Sequence, residues 1–319
     1  MNPCLASPPA QEISGISRIS QLRSLQAGIA GLACRPASSV DMPLSWISGR
    51  VLAETVPARA PEGPHLSEGT LLNATHVPML TDLGLSAVRV FDRIRVGIIS
   101  LLDEGPLPIE ARRNGADTAT MLAMAAEQMG AKAFAYTCKS SDERLLVQSL
   151  TAFAASCSLV LVIGRLGSEL RAALGHAGLL GDSHQMRDLD LQPFGELQMA
   201  RAGAAHLIAL PAEPMRAFAT FTAFVSPLLR ALTGRTDVLP PMASAILVDG
   251  EEIDLHGRGL LWVHEQPGSP CSDTTFVKRA AGTGAASLAG ASGLAWRPMD
   301  LHRARPAGVA YLALRSWLG

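Results

Sequence analysis

Two adjacent carboxylates, Asp103 and Glu104, follow an apolar run of strand length that begins at Arg95 and ends at Leu101. Open α/β sheets bind their ligands at the carboxyl ends of strands, and Mg²⁺ prefers oxygen ligands. Neighbouring side chains of an extended segment point to opposite faces, so only one of the two can readily reach a given ion. The pair predicts a magnesium site or, as the ordinary alternative, a solvated acidic turn before Pro106.

A turn with two glycines follows a second apolar run, Leu159 to Ile163. Gly164 and Gly167 allow close approach of the backbone, and a helix predicted to begin near Ser168 would direct its first N–H groups toward an anion. Arg165 adds a guanidinium, whose planar fork suits phosphate. These residues predict an anion-binding turn. The alternative is that Gly164 only ends a strand and that Arg165 is solvated.

The elements that would position these turns alternate along the chain. A third apolar run covers Leu207 to Leu210, and uninterrupted apolar runs are typical of parallel strands covered on both faces. Helical periodicity appears over 121–129, where Asp117 and Thr118 are predicted caps, and again over 214–232. Strands that alternate with helices predict a doubly wound α/β domain with a mostly parallel sheet.

Three domains are predicted. The α/β domain takes residues 94–236, and short apolar segments separated by Gly, Pro and Asp predict a small β domain over 237–319. Residues 1–93 are predicted to form a helical N-terminal segment, with one helix over 16–33 and a second helical pattern over 41–54.

Composition limits the function classes. The chain is 48% hydrophobic and 17% charged with a net charge of −1, so it lacks the basic stripe that nucleic-acid binding requires. The apolar segment over 25–34 is too short to span a bilayer. Five scattered cysteines without a CxxC pair favour free thiols in a reducing compartment. We therefore expect a cytoplasmic protein that binds neither nucleic acid nor a membrane.

Several segments, taken in order, resemble the MoeA-type molybdenum insertase family from about Asp41 to the end of the chain. The similar segments are GRVLAE at 49–54, IISLLDEG at 98–105, PAEP at 211–214 and a glycine-rich stretch over 282–294. Each segment is short, and the resemblance depends on their shared order and spacing.

The resemblance implies a MogA-like α/β domain that binds molybdopterin or its adenylylated form, with Mg²⁺, molybdate as substrate, and a homodimer. It implies catalytic and metal-binding roles for Asp103 and Glu104. The cofactor-binding residues that it implies are Gly164, Arg165, Gly167, Ser168, Asp117, Thr118, Pro211, Glu213 and Pro214. Helix capping remains an alternative explanation of Asp117 and Thr118.

The chain also departs from the family pattern. The acidic SAMDGYA motif is absent from 59–69, the glycine-rich loop is shortened over 162–168, and the PGKP lysine is missing from 192–196. Glu213 replaces a neutral asparagine, and a carboxylate that suits a helix N-terminus repels a bound phosphate. Two main hypotheses stay open: an active insertase, and a non-catalytic molybdopterin carrier that assists a molybdoenzyme or another cofactor-biosynthesis protein. A third hypothesis is a dimeric scaffold that has lost all ligand binding.

Overall fold

The structure is a computed structural model. It describes residues 19–34, 36, 38–58, 65–102, 109–139, 143–164, 166–180, 187–191, 194–248, 260–266, 275–280, 291–296, 308–314 and 317. Its helices are α1 Ile19–Ala30, α2 His76–Asp82, α3 Ile109–Gln128, α4 Glu143–Ser156, α5 Ser168–His176, α6 Pro214–Thr220 and α7 Ser226–Leu232. Short helical turns of other types are Leu44–Trp46 (3-10) and Phe221–Val225 (π). Its strands are β1 Ser39–Pro43, β2 Ala87–Phe91, β3 Arg95–Leu102, β4 Lys132–Lys139, β5 Leu159–Ile163, β6 Arg187–Asp190, β7 Glu196–Ala202, β8 Ala205–Leu210, β9 Met242–Leu247, β10 Leu260–Gln266, β11 Thr275–Arg279, β12 Gly293–Trp296 and β13 Gly308–Ala313.

The central sheet has six strands in the order β4-β3-β5-β8-β7-β6. The first four are parallel, whereas β7 runs antiparallel to both β8 and β6. Every residue of β5 and β8 is buried, as uninterrupted apolar runs predict. Residues of α3, α6 and α7 pack on one face of the sheet, and residues of α4 and α5 pack on the other. The predicted doubly wound architecture is confirmed.

The C-terminal part forms a closed barrel in the order β10-β11-β9-β13-β12, which confirms the predicted small β domain. Two of its tryptophans leave the barrel core and join the core of the α/β sheet. Trp296 contacts Phe194 with ring centroids 5.2 Å apart, and Trp262 contacts Phe218 at 5.6 Å. The two parts therefore share apolar packing.

The N-terminal part is only partly helical. α1 lies within the predicted helix, but the helical interpretation of residues 41–54 is wrong because β1 pairs antiparallel with β2 in this region. Pro43 has no N–H to continue a helix, and Gly49 adopts φ +71°. The apolar residues instead enter a separate small core with Val90 of β2. No helix in the described ranges is long and apolar enough to cross a membrane.

One long helical segment, α6 to α7, crosses the α/β core and ends near Gly234, which has φ +87°. Pro227 cannot donate a hydrogen bond to the Ala223 carbonyl one turn earlier. The Gln26 side chain of α1 replaces that donor, with Nε2 2.7 Å from the Ala223 oxygen. The break in this helix therefore fixes the position of α1.

Candidate functional site

Three strands of the central sheet end at one edge. β3, β5 and β8 are parallel neighbours, with Ser100 opposite Ile163 and Ile163 opposite Leu210, so their carboxyl ends are adjacent. The Gly164 N–H donates to the Leu210 carbonyl at 2.9 Å and ties the β5 turn to the end of β8. This is the edge at which open α/β sheets bind ligands.

The turn after β5 leads directly into α5. Gly164 has φ +126°, and an added Cβ would lie 3.2 Å from the Leu101 side chain, so backbone conformation and space both favour glycine. Gly167 is the N-cap residue of α5 and has no side chain with which to cap the helix. Gly167 and Ser168 are exposed. The first N–H groups of α5 therefore face solvent without a side-chain cap from Gly167 and are available to an anion.

Sequence reasoning missed a buried polar residue beneath this turn. Gln198 of β7 is 3% exposed, and its Oε1 accepts a hydrogen bond from the Leu166 N–H at 2.9 Å. Arg171 of α5 donates to the carbonyl of the same residue, with Nε 3.0 Å from the Leu166 oxygen. A single glutamine in a strand has no characteristic spacing, so the sequence offers no signal for it.

The N-terminus of α6 is satisfied by its own chain. The Glu213 carboxylate accepts hydrogen bonds from the Met215 and Arg216 N–H groups at 3.0 and 2.9 Å, and Pro214 occupies the first turn. The Arg216 Nε lies 3.9 Å from Glu213 Oε2. The capping interpretation of Glu213 is confirmed, and this carboxylate occupies donors that a phosphate would otherwise use. Pro211, at the end of β8, lies 3.0 Å from the position of a Cβ built on Gly195.

The capping interpretation of Asp117 and Thr118 is wrong. α3 begins at Ile109, so both residues lie inside the helix. A local cap signal is a weak preference and does not by itself start a helix. Thr118 is 2% exposed, and its side chain is not open to a ligand.

Three predicted site residues, Asp103, Glu104 and Arg165, lie outside the described residues. Within the ranges that the structure describes, no group of three or more His, Cys, Asp or Glu side chains could hold a metal ion. The magnesium site and the ligand contacts of these residues stay predictions.

A second concave region lies in the N-terminal part, between β1, β2 and the C-terminal end of α2. It encloses about 780 Å³, and its charged lining residues are Asp41, Glu54, Asp82 and Arg89. Arg89 lies 3.8 Å from Asp41 and 3.7 Å from Glu54. Exposed ion pairs of this kind contribute little stability. The groove is one feature that sequence reasoning did not identify.

Comparisons with known proteins agree with the fold. No family model matches the chain. A protein named molybdopterin molybdenumtransferase 2, from Mycobacterium tuberculosis, is 25% identical over 191 residues, which cover 57% of this chain and 47% of the relative. The chain thus spans about half the length of the curated relatives it matches.

Two solved structures resemble the whole chain. A molybdenum cofactor biosynthesis protein from Pyrococcus furiosus has a TM-score of 0.63 at 18% identity, covering 91% of this chain and 98% of its own. A moeA protein of molybdopterin biosynthesis from Pyrococcus horikoshii has a TM-score of 0.66 at 16% identity, with 92% and 99% covered. The resemblance to the MoeA-type family is therefore confirmed: the fold is MoeA-like, and 191 residues are similar in sequence to a protein named as a molybdopterin molybdenumtransferase.

Proposed function

We propose that this chain acts in molybdenum cofactor biosynthesis and binds molybdopterin, or its adenylylated form, at the edge of the sheet formed by β3, β5 and β8. The observation that carries the proposal is the turn from Gly164 to Ser168, which is tied to β8 and presents the N-terminus of α5 to solvent. The similarity to a protein named as a molybdopterin molybdenumtransferase supports the choice of ligand.

Each part of the site would contribute a simple interaction. Backbone N–H groups at the start of α5 would bind the phosphate, and the Arg165 guanidinium would add a positive charge. Asp103 and Glu104, after β3, would orient molybdate and hold Mg²⁺. Bound Mg²⁺ would reduce the charge repulsion between the carboxylates and the anionic ligands. A homodimer is part of the proposal.

Binding and AMP release test this proposal. Purified protein is titrated with molybdopterin and with its adenylylated form, and molybdate and Mg²⁺ are then added while AMP is measured. Saturable binding is expected, and an insertase would in addition release AMP. An Arg165→Glu variant should lose binding of both forms. Absence of binding to either form in the unmodified chain would refute the proposed function.

A second function, that of a non-catalytic molybdopterin carrier, is favoured by one specific observation. The Glu213 carboxylate is held at the N-terminus of α6, next to the end of β8, where it repels an anion. A carrier would bind the adenylylated form without releasing AMP, and would pass molybdopterin or finished cofactor to a molybdoenzyme or to another cofactor-biosynthesis protein.

The Glu213→Asn variant tests whether this carboxylate limits the site. Asparagine still caps a helix but carries no charge, so affinity for the adenylylated form should rise by roughly 3- to 10-fold. Glu127→Gln is the matched control, because it removes one charge at the C-terminal end of α3, at the opposite edge of the sheet. Equal affinities in both variants would show that Glu213 does not oppose the ligand.

A further inference from the structure

The amide of Gln198 lies at an unusual place for an uncharged polar group. Gln198 is opposite Ala209 in the β7–β8 ladder, close to the edge at which β8 ends. Its strand neighbours Leu197 and Met199 belong to the core on the α3 face, so Gln198 points to the face covered by α4 and α5. The side chain is therefore buried between the sheet and the turn that leads into α5.

Among the described residues, only one end of this amide has a hydrogen-bond partner. Oε1 accepts the hydrogen bond from the Leu166 N–H, whereas no described residue accepts a hydrogen bond from Nε2. An unpaired buried amide donor destabilises a folded protein, and such groups in native structures usually have a partner or a role. Since Oε1 and Nε2 belong to one amide group and Oε1 contacts the turn, this donor lies beside the same turn.

The backbone of that turn offers further donors. The Leu166 N–H is already bonded to Gln198, and the first intrahelical bond of α5 runs from the Arg171 N–H to the Gly167 carbonyl. The N–H groups of the residues between them precede the helical hydrogen-bond ladder. A tetrahedral oxyanion at this position would meet these N–H groups on one side and Gln198 Nε2 on the other.

We infer that Gln198 is both a positioning residue and a ligand donor of the anion subsite: Oε1 fixes the Leu166 peptide, and Nε2 donates to an oxygen of a phosphate group. The inference rests on the proposed function for the identity of the ligand, which is the phosphate of molybdopterin. A neutral amide satisfies both tasks because it carries one acceptor and one donor head, which neither a carboxylate nor an aliphatic side chain does.

A phosphate titration tests the donor directly. The side-chain NH₂ signal of Gln198 is followed by NMR in the uniformly ¹⁵N-labelled full chain as inorganic phosphate is added, and is assigned by its loss in Gln198→Glu. We expect it to shift together with the Gly167 and Ser168 amides. If those amides shift without Gln198, or if none shifts, the inference is wrong. The titration itself is carried out on the unmodified chain, and the variant serves only to assign the signal.

Affinity measurements separate a ligand contact from a purely structural role. Gln198→Glu keeps an oxygen for the Leu166 N–H but loses the donor, so phosphate and molybdopterin should bind roughly 10- to 100-fold more weakly at pH 7. The difference in affinity between Gln198→Glu and the unmodified chain should become smaller toward pH 5, where protonation of the introduced carboxyl restores a donor. The exposed Gln148 of α4 provides the matched control, Gln148→Glu, with unchanged affinity.

The two proposals can fail separately. If molybdopterin does not bind but inorganic phosphate shifts the Gln198 signal, the proposed function is refuted and the anion subsite stands. If molybdopterin binds and Gln198→Glu has the same affinity as Gln148→Glu at every pH, the role of Gln198 is refuted and the proposed function stands.

Discussion

At the scale of single residues, His206 couples stability to pH. It lies at the start of β8, at the edge of the sheet opposite the candidate site, and is 4% exposed. Burial, and then the charge of Arg201, lower its pKa from 6.5 to about 4. The Arg201 guanidinium contacts His206 Nε2 at 2.7 Å and can only donate, so the ring must be neutral there.

The sign of the effect follows from this depressed pKa. The unfolded chain takes up a proton at His206 near pH 6.5, while the folded chain does so only near pH 4. The free energy of unfolding should therefore fall by roughly 3 kcal/mol as the pH is lowered across this window. Urea titrations of the unmodified chain and of His206→Gln at several pH values measure this free energy. Between pH 6.5 and 4, the free energy of unfolding of the variant should depend less steeply on pH.

His176→Gln controls for the loss of a histidine as such, because His176 is exposed at the end of α5. If His206→Gln and the unmodified chain lose stability in parallel between pH 6.5 and 4, His206 does not titrate as proposed. Phosphate affinity is the second readout. It should not change in His206→Gln, since the residue lies away from the anion turn.

At the scale of elements, the contact between α1 and the broken helix α6–α7 predicts a coupled pair of substitutions. Gln26→Leu leaves the Ala223 carbonyl without the donor that Pro227 cannot supply, which should cost about 1–3 kcal/mol of unfolding free energy. In a Pro227→Ala background the cost should shrink, because the restored N–H at position 227 can approach that carbonyl. Chemical denaturation of the unmodified chain, the two single variants and the double variant gives the coupling energy between the two positions.

A coupling energy near zero would show that Gln26 and Pro227 act independently and that α1 is held by apolar contacts alone. Those contacts exist, since Leu22 and Ile29 of α1 are buried in the same core. The single Gln26→Leu variant keeps α1 apolar and nearly unchanged in volume, so its cost reports on the hydrogen bond more than on packing.

The elements also show what the sequence can and cannot predict. β3, β5 and β8 were predictable because strands covered on both faces are apolar over most of their length. The edge strand β4 was missed because its sequence mixes apolar and polar residues without a clear alternation. Phe134 and Tyr136 are exposed there, so an edge strand does not need to be apolar. The start of α3 was missed because Asp117 and Thr118 form a local cap signal, which is only a weak preference.

The polar contacts of the site are the least predictable from sequence. Gln198 meets a peptide 32 residues away and Gln26 meets one 197 residues away, and neither glutamine differs locally from a solvated one. Glu213 could be recognised as a cap because both of its partners follow within three residues. The sequence thus predicts where the strands end at the proposed ligand site, but it does not predict that the buried Gln198 contacts the turn after β5.

At the scale of the whole molecule, one buried cluster joins the α/β domain to the C-terminal end. The Arg230 guanidinium of α7 lies 3.5 Å from the centre of the Trp317 ring and donates to the Trp317 carbonyl. It also pairs with Asp237, while burial, and then the charge of Arg235, lower the pKa of Arg230 to about 10. Arg230 therefore stays charged at neutral pH.

Trp317 also reaches the broken helix. Its Nε1 lies 2.6 Å from Ser226 Oγ and 3.2 Å from the Thr222 carbonyl, at the π-helical turn. The core formed by the α/β sheet includes Trp317 together with residues of α1 and of the barrel. Trp317 thus contacts a helix whose residues lie in the same core as those of α1, the central sheet and the barrel, and we expect this core to unfold as one unit.

Replacement of Trp317 tests this unity. Trp317→Ala should lower the free energy of unfolding by roughly 3–5 kcal/mol, because it leaves a cavity and a buried guanidinium without its aromatic partner. The matched control is Trp46→Ala, the same change at a side chain that is 72% exposed, which should cost within about 0.5 kcal/mol. Far-ultraviolet circular dichroism and hydrogen exchange, measured along one denaturant series, should show the barrel and the α/β sheet unfolding together in Trp317→Ala. If the barrel instead unfolds first while the strands of the central sheet keep their protection, the cluster around Arg230 holds the C-terminal end locally and does not unite the core.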